Sequence, residues 1–466
     1  MPPVTELTGL TSSGDDTEDA ELEQQTGWRG RGTRSKRIVL LLALGAAAMW
    51  VAVRAVQVIT DTCPVPRLSW SADGLCERVF AARSAAPCEL GKHSGLCLDM
   101  TARALSSSEL DATFAAHPEM ARVQIISNRI YFIEPGRGRG NAPIDKTHRV
   151  LRRHLRHIAA AANLTRLADV DFILCIGDGA PAWPVFAHAA KLETQKGERG
   201  FAIPTDVGVP KATKLPSGRH CAPAGRDERE GWQRKQDKLC FRGSPTGPPV
   251  TLGSWSSNIR ARLSALSALW PELLDAKLIK FNDDPERNSS EQAILQRSVL
   301  DVGKFMPMRS SANYKFVIDV DGHSQANRFP FLLHLGPIVL QATRYQIPLT
   351  ASLHLLPHVF PVRPDLSDLL PTLACMRANP ELTFERHRHG QDAARRLVTT
   401  ATAVHGYWAD LLAHYATVQR FEVVRHPRAV PAEEFRFFVS RQWATSLELR
   451  TRSYGREAGR ANSSRN

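Results

Sequence analysis

The sequence predicts an α/β protein behind one N-terminal membrane-spanning helix, and three stretches carry that expectation. Val170 to Ile176, VDFILCI, is a nearly continuous apolar run that stops at Gly177-Asp178-Gly179, the pattern of a strand buried on both faces of a parallel sheet. Tyr314 to Leu340, YKFVIDVDGHSQANRFPFLLHLGPIVL, places an apolar run, a polar loop, a short helix and a further apolar run in one compact unit, the alternation expected of α/β folds. Ile38 to Val53, prolonged past Arg54 by Val56 to Ile59, gives about 22 residues, enough to cross a bilayer core of roughly 30 Å.

Taken in order, residues 1–37 are polar, with an acidic run from Asp15 to Glu23 and a basic run of Arg29, Arg31, Arg34, Lys36 and Arg37, and read as a disordered tail. The basic cluster precedes the apolar span 38–59, so the positive-inside rule keeps the tail cytoplasmic and turns everything beyond Thr60 to the lumen. A cleaved signal peptide or a buried core helix are the alternatives; the long charged leader and the ungapped length speak against them. Residues 60–120 form a lumenal stem in which Cys63, Cys76, Cys88 and Cys97 crowd among Pro, Gly and charged residues, a disulfide-forming pattern whose three connectivities stay open. A zinc site is disfavoured because no C-x-x-C occurs and His93 is the nearby histidine. Cys221 and Cys240 flank a polar loop, whereas Cys175 and Cys375 read as buried thiols. Asn163, Asn288 and Asn462 each open a glycosylation sequon.

Composition bounds the function. A chain of 466 residues with 43% hydrophobic content can bury two cores. Its net charge of +13 is spread among acidic residues, and no zinc finger, ribonucleoprotein motif or basic heptad helix is present, so nucleic acid is not an expected partner.

Residues 121–237 make the first half. VQIISNRIYFI reads as extended segments, Thr147 to Ala162 as a basic amphipathic helix, and VDFILCI as a strand that delivers Asp178 to its carboxyl end, the edge where open α/β sheets hold ligands. Asp178 is therefore the candidate general base, against the reading of an aspartate that caps a turn. Lys191 to Asp237 reads as polar loops leading to the second half, residues 238–420, which opens on Lys238 to Pro249, KLCFRGSPTGPP. Thr251 to Ala276 reads as helical, with Ile259, Leu263, Leu266, Leu269 and Leu273 on one face. In the 314–340 unit, Gly322 frees the backbone, Ser324 to Asn327 supply polar groups, Pro330 suits a first helical turn and Gly336 ends it. Arg328 then sits at a helix N-terminus, where a guanidinium fork can grip phosphate. Asp319-Val320-Asp321 could instead hold a divalent cation. His354 and His358 read as cleft-lining or packed, and His387 and His389 as surface. Residues 421–466 read as a C-terminal tail.

Together these stretches resemble glycosyltransferase family 90, the capsule-associated and Rumi-type protein O-glucosyltransferases. Phe241-Arg242-Gly243-Ser244 and D-x-D-G-x-x-x-x-x-R-F from Asp319 to Phe329 match its motifs. His358-Val359-Phe360-Pro361-Val362, Asp365-Leu366-Ser367-Asp368-Leu369, and Tyr407-Trp408 with Leu411, Leu412 and Tyr415 are similar to its later segments. The likeness runs from about Asp169 to Val418. It implies a GT-B fold, two Rossmann-like domains facing a cleft, and an inverting transfer of glucose or xylose from a UDP-sugar to a protein or glycan hydroxyl, without a metal or other cofactor. In that scheme Arg242, Gly243, Ser244, Asp321, Gly322, Ser324 and Arg328 bind the donor, and Asp178, followed by Pro181, Trp183 and Pro184-Val185-Phe186, is the base. Gly177 and Gly179 depart from the family, which carries a basic residue before the aspartate and an aromatic after it. That departure concerns the acceptor side, and it keeps a catalytically silent lumenal binding protein as the alternative. The expected address is the Golgi or endoplasmic reticulum membrane.

Type II topology predicts that Asn163 is glycosylated on expression in a secretory system, and that protease added to sealed microsomes trims only the tail. Digestion of the part beyond Thr60 in intact microsomes would overturn the topology.

Overall fold

The computed structural model describes residues 75–81, 90–96, 98, 103–134, 144–177, 179, 181–193, 198–204, 226–279, 289–348, 350–397 and 401–434. The chain divides into two compact units, residues 1–56 and 57–466, and every described residue lies in the second. The predicted span 38–59 and its tail, together with Cys63, Cys88, Cys97, Cys221, Asn288 and Asn462, lie outside the described residues. Among the described residues no helix is long and apolar enough to cross a membrane.

The strands, in chain order, are β1 (Ala121–Ile126), β2 (Arg129–Ile133), β3 (Val170–Leu174), β4 (Val185–Ala187), β5 (Ala190–Lys191) and β6 (Phe201–Ala202). There follow β7 (Gln236–Gly243), β8 (Leu274–Leu278), β9 (Tyr314–Val320), β10 (Ile338–Ala342), β11 (Tyr345–Gln346), β12 (Val359–Pro361) and β13 (Val430–Pro431). They form a six-stranded sheet, β13-β2-β1-β3-β4-β6, a five-stranded sheet, β12-β10-β9-β7-β8, and the pair β11-β5.

The five-stranded sheet is parallel throughout, as the Rossmann-like expectation requires. Its order reverses between β7 and β9: β8 continues on one side of β7 while β9, β10 and β12 continue on the other. The six-stranded sheet differs. β3, β4 and β6 run parallel, but β1 pairs antiparallel with β2 and β3, and β13 antiparallel with β2. The cause is local, because β1 and β2 are joined by the two residues Ser127 and Asn128 at φ 50° and 62°, a primed hairpin turn that can only return the chain antiparallel.

VDFILCI forms β3 over Val170–Leu174, and all five residues are buried. Its one charged member, Asp171, is paired: Arg122 donates through Nε to Oδ1 and through Nη2 to Oδ2, both at 2.8 Å, and Gln124 Nε2 adds a bond of 2.6 Å. Helix Ile144–Leu164 covers this sheet with Leu151, Leu155 and Ile158 buried on one face, the periodicity that predicted it. Helix Ala401–Val418, the sequence's closing helix, returns from the second half to pack on the first. Tyr415 Oη donates to the Asp171 carbonyl at 2.8 Å, Tyr407 Oη to the Ala202 carbonyl at 2.9 Å, and Trp408 stacks on Phe186 at 6.3 Å between centroids. The β5–β11 pair makes a second link, joining residue 190 to residue 346. The segment 421–434 returns as well, with Val424 and His426 bonded to Gln124.

Three expectations are corrected, and the choice left open for His358 is resolved. The helix predicted to Ala276 ends at Leu269, ahead of Trp270-Pro271, because the residue before a proline is pushed out of the helical region; Leu274–Leu278 then alternates as a strand. Cys375 is not a free thiol but is disulfide-bonded to Cys76, with Cα atoms 5.4 Å apart, while Cys240 is free and buried on β7. His387 is buried rather than at the surface, its ring 4.5 Å from that of Trp232, since the helix Pro380–Leu397 turns that face inward; His389 is exposed, as expected. His358 is packed, fully buried, with Nε2 3.3 Å from the Leu333 carbonyl.

Asp171→Ala leaves the buried Arg122 guanidinium without its bidentate partner and should lower stability by about 3–5 kcal/mol. Urea unfolding monitored by circular dichroism measures this, and a loss below about 1 kcal/mol would show that the pair does not hold the sheet.

Candidate functional site

Open parallel sheets hold ligands outside the carboxyl ends of the strands, at the point where the strand order reverses. Here that place lies between β7, which ends at Gly243, and β9, which ends at Val320, and the two loops that leave it are Ser244–Pro249 and Asp321–Asn327. FRGS and the D-x-D-G segment, far apart in sequence, are thus brought together.

The loops are held by the first turn of helix Ile259–Leu269. Asn258, fully buried, caps that helix, its Oδ1 accepting from the amides of Arg260 and Ala261 at 3.0 and 3.1 Å. Its Nδ2 donates the other way, to the carbonyls of Pro245, Thr246 and Pro248 at 3.2, 3.4 and 2.7 Å. Arg260, also buried, donates Nε to the Asp321 carbonyl (2.8 Å), Nη1 to Ser244 (3.0 Å) and Nη2 to Val320 (3.3 Å). One side chain therefore ties the loop after β7 to the loop after β9. Burial, and then the nearby Arg328, lower the Arg260 guanidinium to about 10, which leaves it charged at neutral pH.

Gly322 and Gly247 permit this closeness. A Cβ on Gly322 would lie 2.6 Å from Thr246 Oγ1 and 2.9 Å from Arg260 Nη2, and Gly247, at φ +115°, is within 3.0 Å of the Gly322 carbonyl in the same sense. Gly243 acts likewise: a Cβ there would meet Arg328 Nη2 at 2.9 Å and the Phe241 ring at 2.8 Å. Its missing side chain is the space that the Arg328 guanidinium occupies.

Arg328 donates Nη1 to the Arg242 carbonyl at 2.7 Å, its one hydrogen bond among the described residues, and lies 4.8 Å from the Phe241 ring centroid. The Arg260 guanidinium is 6.0 Å from the same ring, so Phe241 supports both cations. Asp319, 2% exposed, is coupled electrostatically to both arginines; burial raises its carboxyl to about 7, with Arg328 opposing that rise more than Arg260 does.

Several predicted residues are placed differently. Arg242 lies on the other face of β7 from Phe241 and Gly243, as strand alternation dictates. Its Nη2 bonds both Asp275 oxygens at 2.8 Å and its Nη1 the carbonyls of Asp275 and Phe241, so its side chain does not join the cluster; only its carbonyl does. Asp321 is buried with both oxygens used, Oδ1 accepting from Thr343 Oγ1 at 2.6 Å and Oδ2 from the Arg344 amide at 2.7 Å. The helix after Arg328, Phe329–Leu332, is one turn long and Arg328 makes no side-chain cap, so the guanidinium and not a helix dipole supplies the charge. Gly336, at φ +95°, lies in the turn beyond it. Ser244 and Ser324 line the loops half-buried, the Ser324 carbonyl accepting from the Gly322 amide at 2.8 Å. Among the described residues no group of three or more His, Cys, Asp or Glu side chains could hold a metal ion. Asp178 lies outside the described residues, though its strand β3 does run parallel to β4, with Gly177 exposed beyond its carboxyl end.

Arg260 is the cation that the sequence reading passed over. A signal was available: an arginine at the second position of a helix opposes the positive end of the dipole and needs a local acceptor, which here is the set of loop carbonyls.

Comparison with known proteins finds likeness in the second half of the chain. Residues 224–443 match the model of Glycosyl transferase family 90, a range that holds the parallel sheet, both loops and the returning helix but begins after strands β1 to β6 and Asp178. The chain is similar to Protein O-glucosyltransferase 3 of Rattus norvegicus, 28% identical over 189 residues that cover 40% of this chain and 33% of that protein. It is similar also to Protein O-glucosyltransferase 1 of Homo sapiens, 24% identical over 195 residues, 42% of this chain and 45% of that protein. Uncharacterized protein 035R of Invertebrate iridescent virus 3 is 34% identical over 165 residues, 32% of this chain and 14% of that protein. The chain thus spans less than half the length of each of these relatives. Motif, geometry and match thus coincide over the same loops, within the Glycosyl transferase family 90 match at residues 224–443.

Proposed function

We propose that the protein transfers a sugar, glucose or xylose, from a UDP-sugar to a hydroxyl of a protein or glycan acceptor, with the donor held at the switch between β7 and β9. The observation that carries the reading is the Arg328–Arg260 pair: two guanidinium groups converge behind glycine-lined loops, and Arg328 has donors to spare beyond its bond to the Arg242 carbonyl. A diphosphate is the ligand such a site suits, because a guanidinium fork matches two phosphate oxygens. Arg260, in place of the Arg242 side chain, is the second cation of this reading. Ser244 and the Gly322–Ser324 loop supply hydrogen bonds to the phosphates, and Asp321 acts through the Thr343–Arg344 turn that it fixes.

The chemistry is one displacement. Asp178 takes the proton of the acceptor hydroxyl as its oxygen bonds to the anomeric carbon, while the bond from that carbon to the diphosphate breaks and UDP leaves with the electron pair. A single attack from the far side inverts the anomeric configuration. The arginines stabilise the leaving group as its charge grows. In this reading the two sheets are the halves of a GT-B enzyme, residues 121–237 facing 238–420, and the apolar run 38–59 supports a type II anchor with the catalytic part in the lumen of the Golgi or endoplasmic reticulum.

Arg328→Ala should weaken UDP binding by about 1.5–3 kcal/mol, roughly ten- to a hundredfold, with the fold intact. Calorimetry that finds unchanged affinity in a folded variant rejects the assignment; binding abolished by a chelator would favour a metal at Asp319 and Asp321.

Asp178→Asn should lower transfer by the roughly 10²- to 10⁴-fold typical of a lost general base, with UDP affinity kept. Assays of UDP release with a panel of UDP-sugars measure it. A parent protein that binds UDP but transfers to no acceptor would favour a silent binding protein on the same scaffold.

A further inference from the structure

The donor-site reading leaves one ionisable group of the site without a role. Asp319 is the penultimate residue of β9, the middle strand of the parallel sheet, and it is almost wholly buried. Its neighbour in the strand register is Gln341 on β10, whose side chain hydrogen-bonds it, yet Oδ1 has no hydrogen-bond partner among the described residues. Asp321, two residues on, is satisfied by Thr343 and Arg344; Asp319 is not. The cations that act on its charge are Arg328, from the turn before helix Phe329–Leu332, and Arg260, from helix Ile259–Leu269, both of which favour its ionised form.

Resting on the reading of this site as a diphosphate site, we infer that Asp319 is a positioning residue that serves as counter-ion to Arg328 and Arg260 and gives up that role by taking a proton when the donor's diphosphate arrives. Two neighbouring arginines repel, as Arg260 feels from Arg328, and a carboxylate coupled to both offsets that repulsion. A diphosphate with two negative charges then supplies their compensation, and a second anion in the same low-dielectric space is unfavourable. The cheapest relief is for the buried carboxylate to become neutral, as buried carboxyls beside another anion do.

The sign follows. Burial has already raised the Asp319 carboxyl to about 7, against the pull of Arg328 and Arg260 and with Asp321 adding to the rise. Nearby donor phosphates raise it further. Above pH 7 Asp319 is ionised before binding and must gain a proton, so donor affinity falls as pH rises; below pH 7 it is already neutral and affinity levels off. The limiting slope is about tenfold per pH unit for one linked proton. Other groups around it do not give this signature. Cys240 on β7, coupled to Arg328, is pushed up to about 12, chiefly by burial, and stays a neutral thiol. His323, exposed on the Asp321–Asn327 loop, is controlled for by substitution.

The experiment is isothermal calorimetry of UDP-glucose, whose diphosphate diester has no group that titrates near neutrality, in pairs of buffers with different ionisation enthalpies from pH 6 to pH 8. Expected are an uptake approaching one proton per donor at pH 8, little at pH 6, and the same uptake in His323→Gln. Asp319→Asn should take up none, bind with flat pH dependence, and at pH 8 bind up to about tenfold more tightly than the parent. That last result separates positioning from a structural role, because a merely structural aspartate would weaken binding at every pH. Should Asp319→Asn not fold, the infrared band of a protonated carboxyl, expected to grow on donor binding to the parent at pH 8, reads the same proton. Binding without proton uptake, or uptake that persists in Asp319→Asn, overturns the inference and leaves the donor site standing. Failure of the parent to bind either UDP-glucose or UDP overturns the donor site and the inference with it.

Discussion

The site depends on a buried argument about carbonyls. Loops after parallel strands must turn sharply, and some of their backbone oxygens then face inward, where an unmet acceptor costs about 1–3 kcal/mol. Here Pro245, Thr246 and Pro248 are met by the amide of Asn258, and Ser244, Val320 and Asp321 by the guanidinium of Arg260. Both come from one helix end, so the start of helix Ile259–Leu269 sets the position of both loops at once. The glycines at 243, 247 and 322 follow from that constraint, since each lies where a Cβ would strike a loop carbonyl, a ring or one of the two guanidinium groups.

The same arrangement stores positive charge where a soluble core would normally exclude it. Arg260 and Arg328 share the Phe241 ring and are both coupled electrostatically to Asp319, and among the described residues neither forms the tight ion pair that Arg242 forms with Asp275 on the opposite face of β7. Two arginines a few residues apart in the spatial order of the sheet thus have different work. Arg242 is neutralised within the scaffold and braces β7 against β8; Arg328 makes one hydrogen bond among the described residues, to the Arg242 carbonyl.

Continuity between the halves comes from segments that leave one sheet and finish on the other. Helix Ala401–Val418 follows the parallel sheet in sequence but hydrogen-bonds to Asp171 and Ala202 of the mixed sheet and buries Trp408 against Phe172 and Phe186. Aromatic contacts of this kind add about 0.5–1.5 kcal/mol each beyond their buried area. Tyr345–Gln346 pairs with Ala190–Lys191 directly after the Thr343–Arg344 turn that binds Asp321, so the loop after β9 is tied to the segment that follows β4.

What could be read from residues alone was local. The apolar runs at 170–174, 314–320 and 338–342 became strands, the 144–164 periodicity became a helix, and the motif order pointed to the family and to the two loops that meet, because burial on a sheet and turn chemistry leave a period and a composition in the chain. What tertiary structure decided was every choice between two partners that local pattern leaves equal. Arg242 and Arg328 look alike as motif arginines, but alternation along β7 sends the first to Asp275 and only the second to the cluster. Cys375 looked like a core thiol until the fold set it beside Cys76, 299 residues away in sequence. Arg260 carried no motif at all; it became central because six backbone oxygens, brought together by the order of a parallel sheet, had to be met by whatever the next helix began with.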